Sequence, residues 1–219
     1  MGSVDFAQRA QALEALTRLC QNGRVQSDSL PRVQPTEFAE LDAALPQGGW
    51  PFGALTELLL NGYGIGELRL LMPALAALTR AGRYLTLIDP PLLVYPPALA
   101  QHWVNLERVV LIRPSGETPS THQHRLGLWA MEQALRCAAV GAVLAWPSHK
   151  LSDKELRRLQ LAAEAGRNLG VLYRNLAAAE VASPAALRLA LTSVPQGLQI
   201  EIRKCRGGRA GAKLNVAAS

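Results

Sequence analysis

The 219-residue sequence predicts an α/β fold: a mostly parallel β-sheet flanked by helices, with a C-terminal antiparallel hairpin and an N-terminal helix. Three observations predict it. Between residues 54 and 173, compact apolar runs alternate with amphipathic segments over short connections, as parallel strands buried on both faces do. Near the C-terminus the runs instead alternate apolar with polar residues, the pattern of strands with one wet face. Between the first long apolar run and the first long helix stands Gly62-Tyr63-Gly64-Ile65-Gly66, where a phosphate-binding loop would sit.

Residues 4–19 carry Phe6, Ala10, Leu13, Leu16 and Leu19 at helical spacing with Asp5 near the start, which predicts an amphipathic helix. Residues 21–35 turn polar and irregular around Asn22-Gly23, Pro31 and Pro35. The chain therefore divides into an N-terminal helix and linker, 1–35, and a single domain, 36–219. The helix packs either on its own domain or on a neighbouring molecule, and the sequence leaves both open. A short helix at 38–45 precedes a tight turn at 47–53, rich in glycine. Strands follow at 55–60, 83–89, 109–113, 142–146 and 170–173, with helices at 68–81, 121–136 and 152–165. Asp153 and Glu155 fall in the first turn of that last helix, where carboxylates suit the positive end of its dipole. Pro96-Pro97 keeps the stretch after the second strand irregular or starts a helix there. Residues 187–192 and 199–204, flanking Pro195-Gln196-Gly197, read as the hairpin.

Hydrophobic residues make up 49% and charged residues 18% of the chain, a globular balance that can bury a full core. No apolar stretch reaches the roughly 18–20 residues that span a bilayer, and the start lacks the layout of a secretion signal. Cys20, Cys137 and Cys205 form no C-x-x-C pair, so no zinc site is indicated and a cytoplasmic location is expected. A net charge of +6 permits nucleic-acid contact without requiring it.

The glycine loop has the setting of a nucleotide site without its chemistry. A working loop reads Gly-x-x-x-x-Gly-Lys-Ser/Thr. Counting back from Gly66 puts Asn61 at the first glycine, Glu67 at the lysine and Leu68 at the magnesium-binding hydroxyl. A carboxylate there repels phosphate.

Leu41-Asp42, Gly48-Gly49-Trp50-Pro51-Phe52-Gly53 and Thr56-Glu57-Leu58 resemble the entry to the ATPase core of RecA-type recombinases. The resemblance covers roughly residues 36–216. It implies a RecA-like core in which every catalytic part has been lost. Besides Glu67 and Leu68, the water-positioning glutamate, two residues after Asp89, is Pro91, and the Walker B aspartate position falls on Trp146. Phosphoryl transfer depends on these charges, so no catalytic residue, cofactor or metal is expected and the chain is read as a non-enzyme. Gly62, Gly64, Gly66-Glu67-Leu68, Pro73-Ala74-Leu75 and the basic ending Lys204-Cys205-Arg206-Gly207-Gly208-Arg209 resemble the ImuA family of RecA- and SulA-like proteins. That resemblance implies a scaffold in SOS-induced translesion synthesis and mutagenesis. Its implied partners are ImuB (an inactive Y-family polymerase relative), through it an error-prone C-family polymerase, and RecA. The alternative is a SulA-like cell-division inhibitor binding a tubulin-like GTPase. The full 35–80 segment argues for ImuA, because SulA-type proteins lack much of the N-terminal half.

Arg203, Lys204, Arg206, Arg209 and Lys213 stand among glycines and are candidate DNA- or partner-binding residues. A solvated hairpin turn or a protein dock is the more economical reading. His122 and His124 lie two apart on a helix, so they share no face for chelation. Arg157-Arg158 sits on an ordinary solvated helix face, and the four tryptophans read as core or interface anchors.

Overall fold

The computed structural model describes residues 33–113 and 121–217. The helix expected at 4–19 lies outside them. Ten strands and five α-helices occur among the described residues. In chain order the strands are β1 (Val33–Gln34), β2 (Trp50–Pro51), β3 (Ala54–Leu60), β4 (Tyr84–Ile88), β5 (Val109–Ile112), β6 (Val140–Ala145), β7 (Leu169–Asn175), β8 (Leu187–Val194), β9 (Gly197–Cys205) and β10 (Lys213–Ala217). The helices are α1 (Ala39–Ala44), α2 (Met72–Arg80), α3 (Pro96–Gln101), α4 (Thr121–Arg136) and α5 (Asp153–Gly166).

Eight strands form one sheet in the order β10-β9-β8-β3-β7-β6-β4-β5. The strands from β8 to β5 are parallel, and β9 and β10 add antiparallel at one side. The sheet is mixed α/β in class, mostly parallel, with helices on both faces. One core layer packs Leu71, Leu75 and Leu78 of the α2 region against Leu58, Leu87, Leu144 and Tyr173. The other packs Met131 and Leu135 of α4 with Leu156 and Leu159 of α5 against Leu55, Ile88 and Val143. All seven residues of β3 are buried, because it lies between β7 and β8 with both faces covered.

Three details differ from the periodicity. The segment expected as one helix at 68–81 begins as a 3₁₀ turn, Arg69–Leu71, and becomes α-helical at Met72. Pro73, without an N–H, is tolerated only in that first α-helical turn. A third antiparallel strand, β10, follows the hairpin, and β1 pairs with β2 in a separate two-stranded ribbon. Helix α5 opens with a full capping box between Ser152 and Glu155. No helix among the described residues is long and apolar enough to cross a membrane.

Candidate functional site

The carboxyl ends of β3, β4, β6 and β7 meet at one edge of the sheet, where open α/β folds hold their ligands. The loop after β3 lies there. Gly64 (φ 83°) and Gly66 (φ 95°) take backbone conformations that L side chains rarely adopt, so these glycines are needed for the turn itself. Asn61 and Gly62 are exposed at its entrance. Glu67 is 7% exposed, and its carboxylate accepts hydrogen bonds from the Gly64 N–H at 3.0 Å and the Ile65 N–H at 2.9 Å. The side chain at the lysine position thus folds back onto the loop's own amides. Both amides are taken up by a carboxyl group of the same chain. Leu68, at the hydroxyl position, packs half-buried against the α2-side core.

Asp89 ends β4 with a positive φ of 54°, its N–H bonded to the Ile112 carbonyl at 2.9 Å. Burial pushes its carboxyl above the ordinary aspartate range, and Arg113 opposes that shift. Pro91 is exposed and offers no carboxylate. Trp146 continues β6 through an N–H bond to the Ile88 carbonyl and stacks on Tyr173, ring centroids 4.4 Å apart and 3° from parallel. Both rings are core residues. The Tyr173 hydroxyl is pushed well above its ordinary value by burial and then by Glu67. Among the described residues, no group of three or more His, Cys, Asp or Glu is placed to hold a metal ion.

Beside the loop a cleft of about 390 Å³ is lined by Tyr63, His149, Lys150, Tyr173, Arg174 and Asn175, among others. Tyr63 is 42% exposed. Burial raises its hydroxyl pKa, and the charges of Glu67 and Asp89 add to the shift. The loop after β4 exposes Leu92, Leu93 and Tyr95. Sequence reading missed these residues, although an apolar run Leu92-Leu93-Val94-Tyr95 between two proline pairs is a visible signal. His124 is described through its contact with Glu155 at 3.3 Å and with the His149 ring at 5.0 Å; neither makes a chelate.

The basic C-terminal residues do not form one open patch. Arg203 pairs with Glu201 at 2.9 Å and Glu180 at 3.4 Å, and Lys213 approaches Glu201 at 3.7 Å. Lys204 donates to the Ser183 carbonyl at 2.5 Å and Arg206 to the Pro184 carbonyl at 3.1 Å. Arg209 is exposed. Beneath them lies a cluster that sequence reading also missed. Glu57, fully buried on β3, accepts from Arg174 at 2.7 Å, Arg188 at 2.8 Å and Ser183 at 2.6 Å. Arg188 further donates to the carbonyls of Ala178 and Val181, tying the 176–184 segment over the end of the sheet. Burial, then Arg206 and Arg188, lower the Lys204 pKa while Glu57 opposes them.

The family model described as "Cell division inhibitor SulA" matches residues 53–170, more than half of the chain and including the whole loop. The chain belongs to the SulA family. The SulA cell division inhibitor of Pectobacterium carotovorum subsp. carotovorum (strain PC1) is 28% identical over 151 residues, covering 69% of this chain and 86% of that protein. Its counterpart in Pectobacterium atrosepticum is 27% identical over 149 residues, covering 68% and 84%. The crystal structure of SulA from Pseudomonas aeruginosa aligns at a TM-score of 0.43 and 27% identity, over 55% of this chain and 97% of that one.

Membership in the SulA family corrects the ImuA assignment, and with it the translesion-synthesis role and the partners ImuB, C-family polymerase and RecA. The 35–80 segment does not discriminate as expected, because the SulA match runs through the loop and α2. The physical reason lies in the motifs that carried the resemblance. Gly64 and Gly66 serve a strand-to-helix turn, Pro73 starts a helix, and most cations of the basic ending are held by their own chain. Such residues report architecture shared by related families and say little about partners.

Proposed function

We propose that this chain is a non-catalytic inhibitor of cell division that acts by binding a protein of the division machinery, a tubulin-like GTPase. The observation that carries this reading is the Glu67 carboxylate seated on the Gly64 and Ile65 amides, in a chain whose relatives are named cell division inhibitors. A loop that holds its own anion has no use for ATP, and what remains is a rigid α/β body with surfaces to present. We read residues 36–219 as a RecA-like core, preceded by a helix and linker at 1–35. The position of the loop between β3 and α2, Asp89 at the end of β4 and the antiparallel strands at one side of the sheet support that reading. Asn61, Gly62, Gly64, Gly66, Glu67, Leu68, Pro91 and Trp146 act in it as architecture. Arg203, Lys204, Arg206 and Lys213 are assigned to holding the hairpin and the 176–184 segment, with Arg209 left at the exposed turn.

The test is polymerisation of a purified tubulin-like division GTPase, followed by light scattering with and without the chain. Near-stoichiometric suppression of polymer is expected, together with filamentous cells on expression. Full polymerisation in the presence of excess chain would overturn the reading. Calorimetric titration with ATP and Mg²⁺ is expected to give no binding heat, and micromolar binding would contradict the self-occupied loop.

A further inference from the structure

We infer that the division-protein partner docks on the apolar surface formed by Tyr63, Leu92, Leu93 and Tyr95, and that it presents an apolar pocket bordered by carboxylates. This rests on the proposed inhibition and names the surface that performs it. Leu93 is 84%, Tyr95 66%, Leu92 59% and Tyr63 42% exposed. Single exposed apolar residues are ordinary, but four neighbours with two aromatic rings resemble the anchor clusters that dominate protein interfaces.

The two loops that carry these residues are adjacent. A Cβ on Gly64 would lie 3.8 Å from the Leu92 Cδ1, which brings the loop after β3 against the loop after β4. Tyr63 immediately precedes Gly64 in that loop. The patch is also held in place, so little ordering is needed on docking. Arg113 donates to the Leu92 carbonyl at 3.1 Å, Asp89 is bonded to β5, and Glu67 fixes the backbone of Gly64 and Ile65.

Charge complementarity identifies the occupant. The two carboxylates nearest the patch are withdrawn: Glu67 is buried on the loop amides and Asp89 is half-buried. The cations point the other way in exposure. Arg113 beside Leu92, and Lys150 in the cleft it shares with Tyr63, are exposed. An apolar centre with a cationic rim favours a partner surface of matching acidic rim, and the chain's net +6 favours its approach.

The experiment uses the full chain in the polymerisation assay. The double variant Leu93→Asp, Tyr95→Asp is compared with Leu161→Asp, which alters an exposed leucine of α5 away from these loops. Thermal melts confirm that each variant is folded. The double variant is expected to lose at least about tenfold in inhibitory potency, while Leu161→Asp keeps full potency. Lys150→Glu is expected to weaken inhibition several-fold at low salt and to flatten its salt dependence. If the parent chain inhibits and the folded double variant inhibits equally, the docking surface is wrong while the inhibitor reading stands. If the parent chain does not inhibit at all, the inhibitor reading fails and this inference fails with it. Self-association of the chain that the double variant abolishes, with inhibition intact, would assign the patch to a second copy and overturn the proposal.

Discussion

Around β8, β9 and β10 the molecule uses its charges on itself, whereas around the ends of β3 and β4 it hides its carboxylates and leaves apolar side chains in water. In the first region, Glu57 holds Arg174, Arg188 and Ser183, and the cations above bond to nearby carbonyls or carboxylates. In the second, Glu67 turns into the loop and Leu92, Leu93 and Tyr95 face outward. A region whose polar groups are satisfied internally has little left to offer a partner. A region whose backbone is fixed and whose apolar groups are unsatisfied does. The contrast separates residues that hold the fold from those placed to be read by another molecule.

The largest expected effect lies in the first region. Glu57→Ala leaves two buried guanidinium groups without their carboxylate, and should cost about 3–5 kcal/mol in urea unfolding. Proteolysis should then cut first within 176–184, the segment that Arg188 ties down. A loss below about 1 kcal/mol would mean that the cluster does not hold that side of the sheet.

Next comes the loop. Glu67→Ala frees two amides from a charged acceptor and should cost about 1–3 kcal/mol by thermal unfolding. Glu67→Lys is expected not to give ATP binding by calorimetry, because Leu68, Pro91 and Trp146 still lack the rest of the chemistry. Recovered ATP binding would show that one side chain alone had closed the site.

A smaller effect tests a helix start that belongs to neither region. Burial alone would raise the Glu155 pKa, but bonds from the Ser152 N–H and hydroxyl, and contact with His124, hold it below its ordinary value of 4.5. Because the folded value is depressed, this contribution is complete above pH 4.5 and is lost as pH falls through the lowered folded value. Ser152→Ala should cost about 1 kcal/mol and flatten the acid limb of the stability profile. The smallest effects are at the surface. Arg209→Ala and Leu93→Ser should each stay within about 0.5 kcal/mol of the parent in unfolding. Only the second should change inhibition.

Much of the fold was legible before any coordinates. The apolar runs that became β3, β4, β6 and β7 are compact because both faces are covered, whereas β5 is the edge strand and leaves Leu111 exposed. The alternation expected for one wet face holds in β9, but β8 is buried from Leu187 to Leu191 because it lies between β3 and β9. The 3₁₀ start before α2 was not read, although Pro73 marks it; β10 was not read because its five residues carry only two large apolar side chains. That Glu67 and Leu68 stand where a phosphate loop has lysine and a hydroxyl could be read directly. The family could not, since short motifs of turn and helix start are common to related folds.

The sequence by itself determined the alternating architecture, the glycine turn and the absence of lysine and hydroxyl from it. All three are properties of local spacing and residue type. Only the tertiary structure decided that Glu67 sits on the loop amides, that Glu57 meets Arg174 and Arg188 from 117 and 131 positions away, and that Gly64 comes up against Leu92. Those contacts join residues distant in the chain, or set the direction of one side chain, and neither is encoded in periodicity. Where the carboxylates turn inward, the surface becomes apolar, and that choice exists only once the strands are side by side.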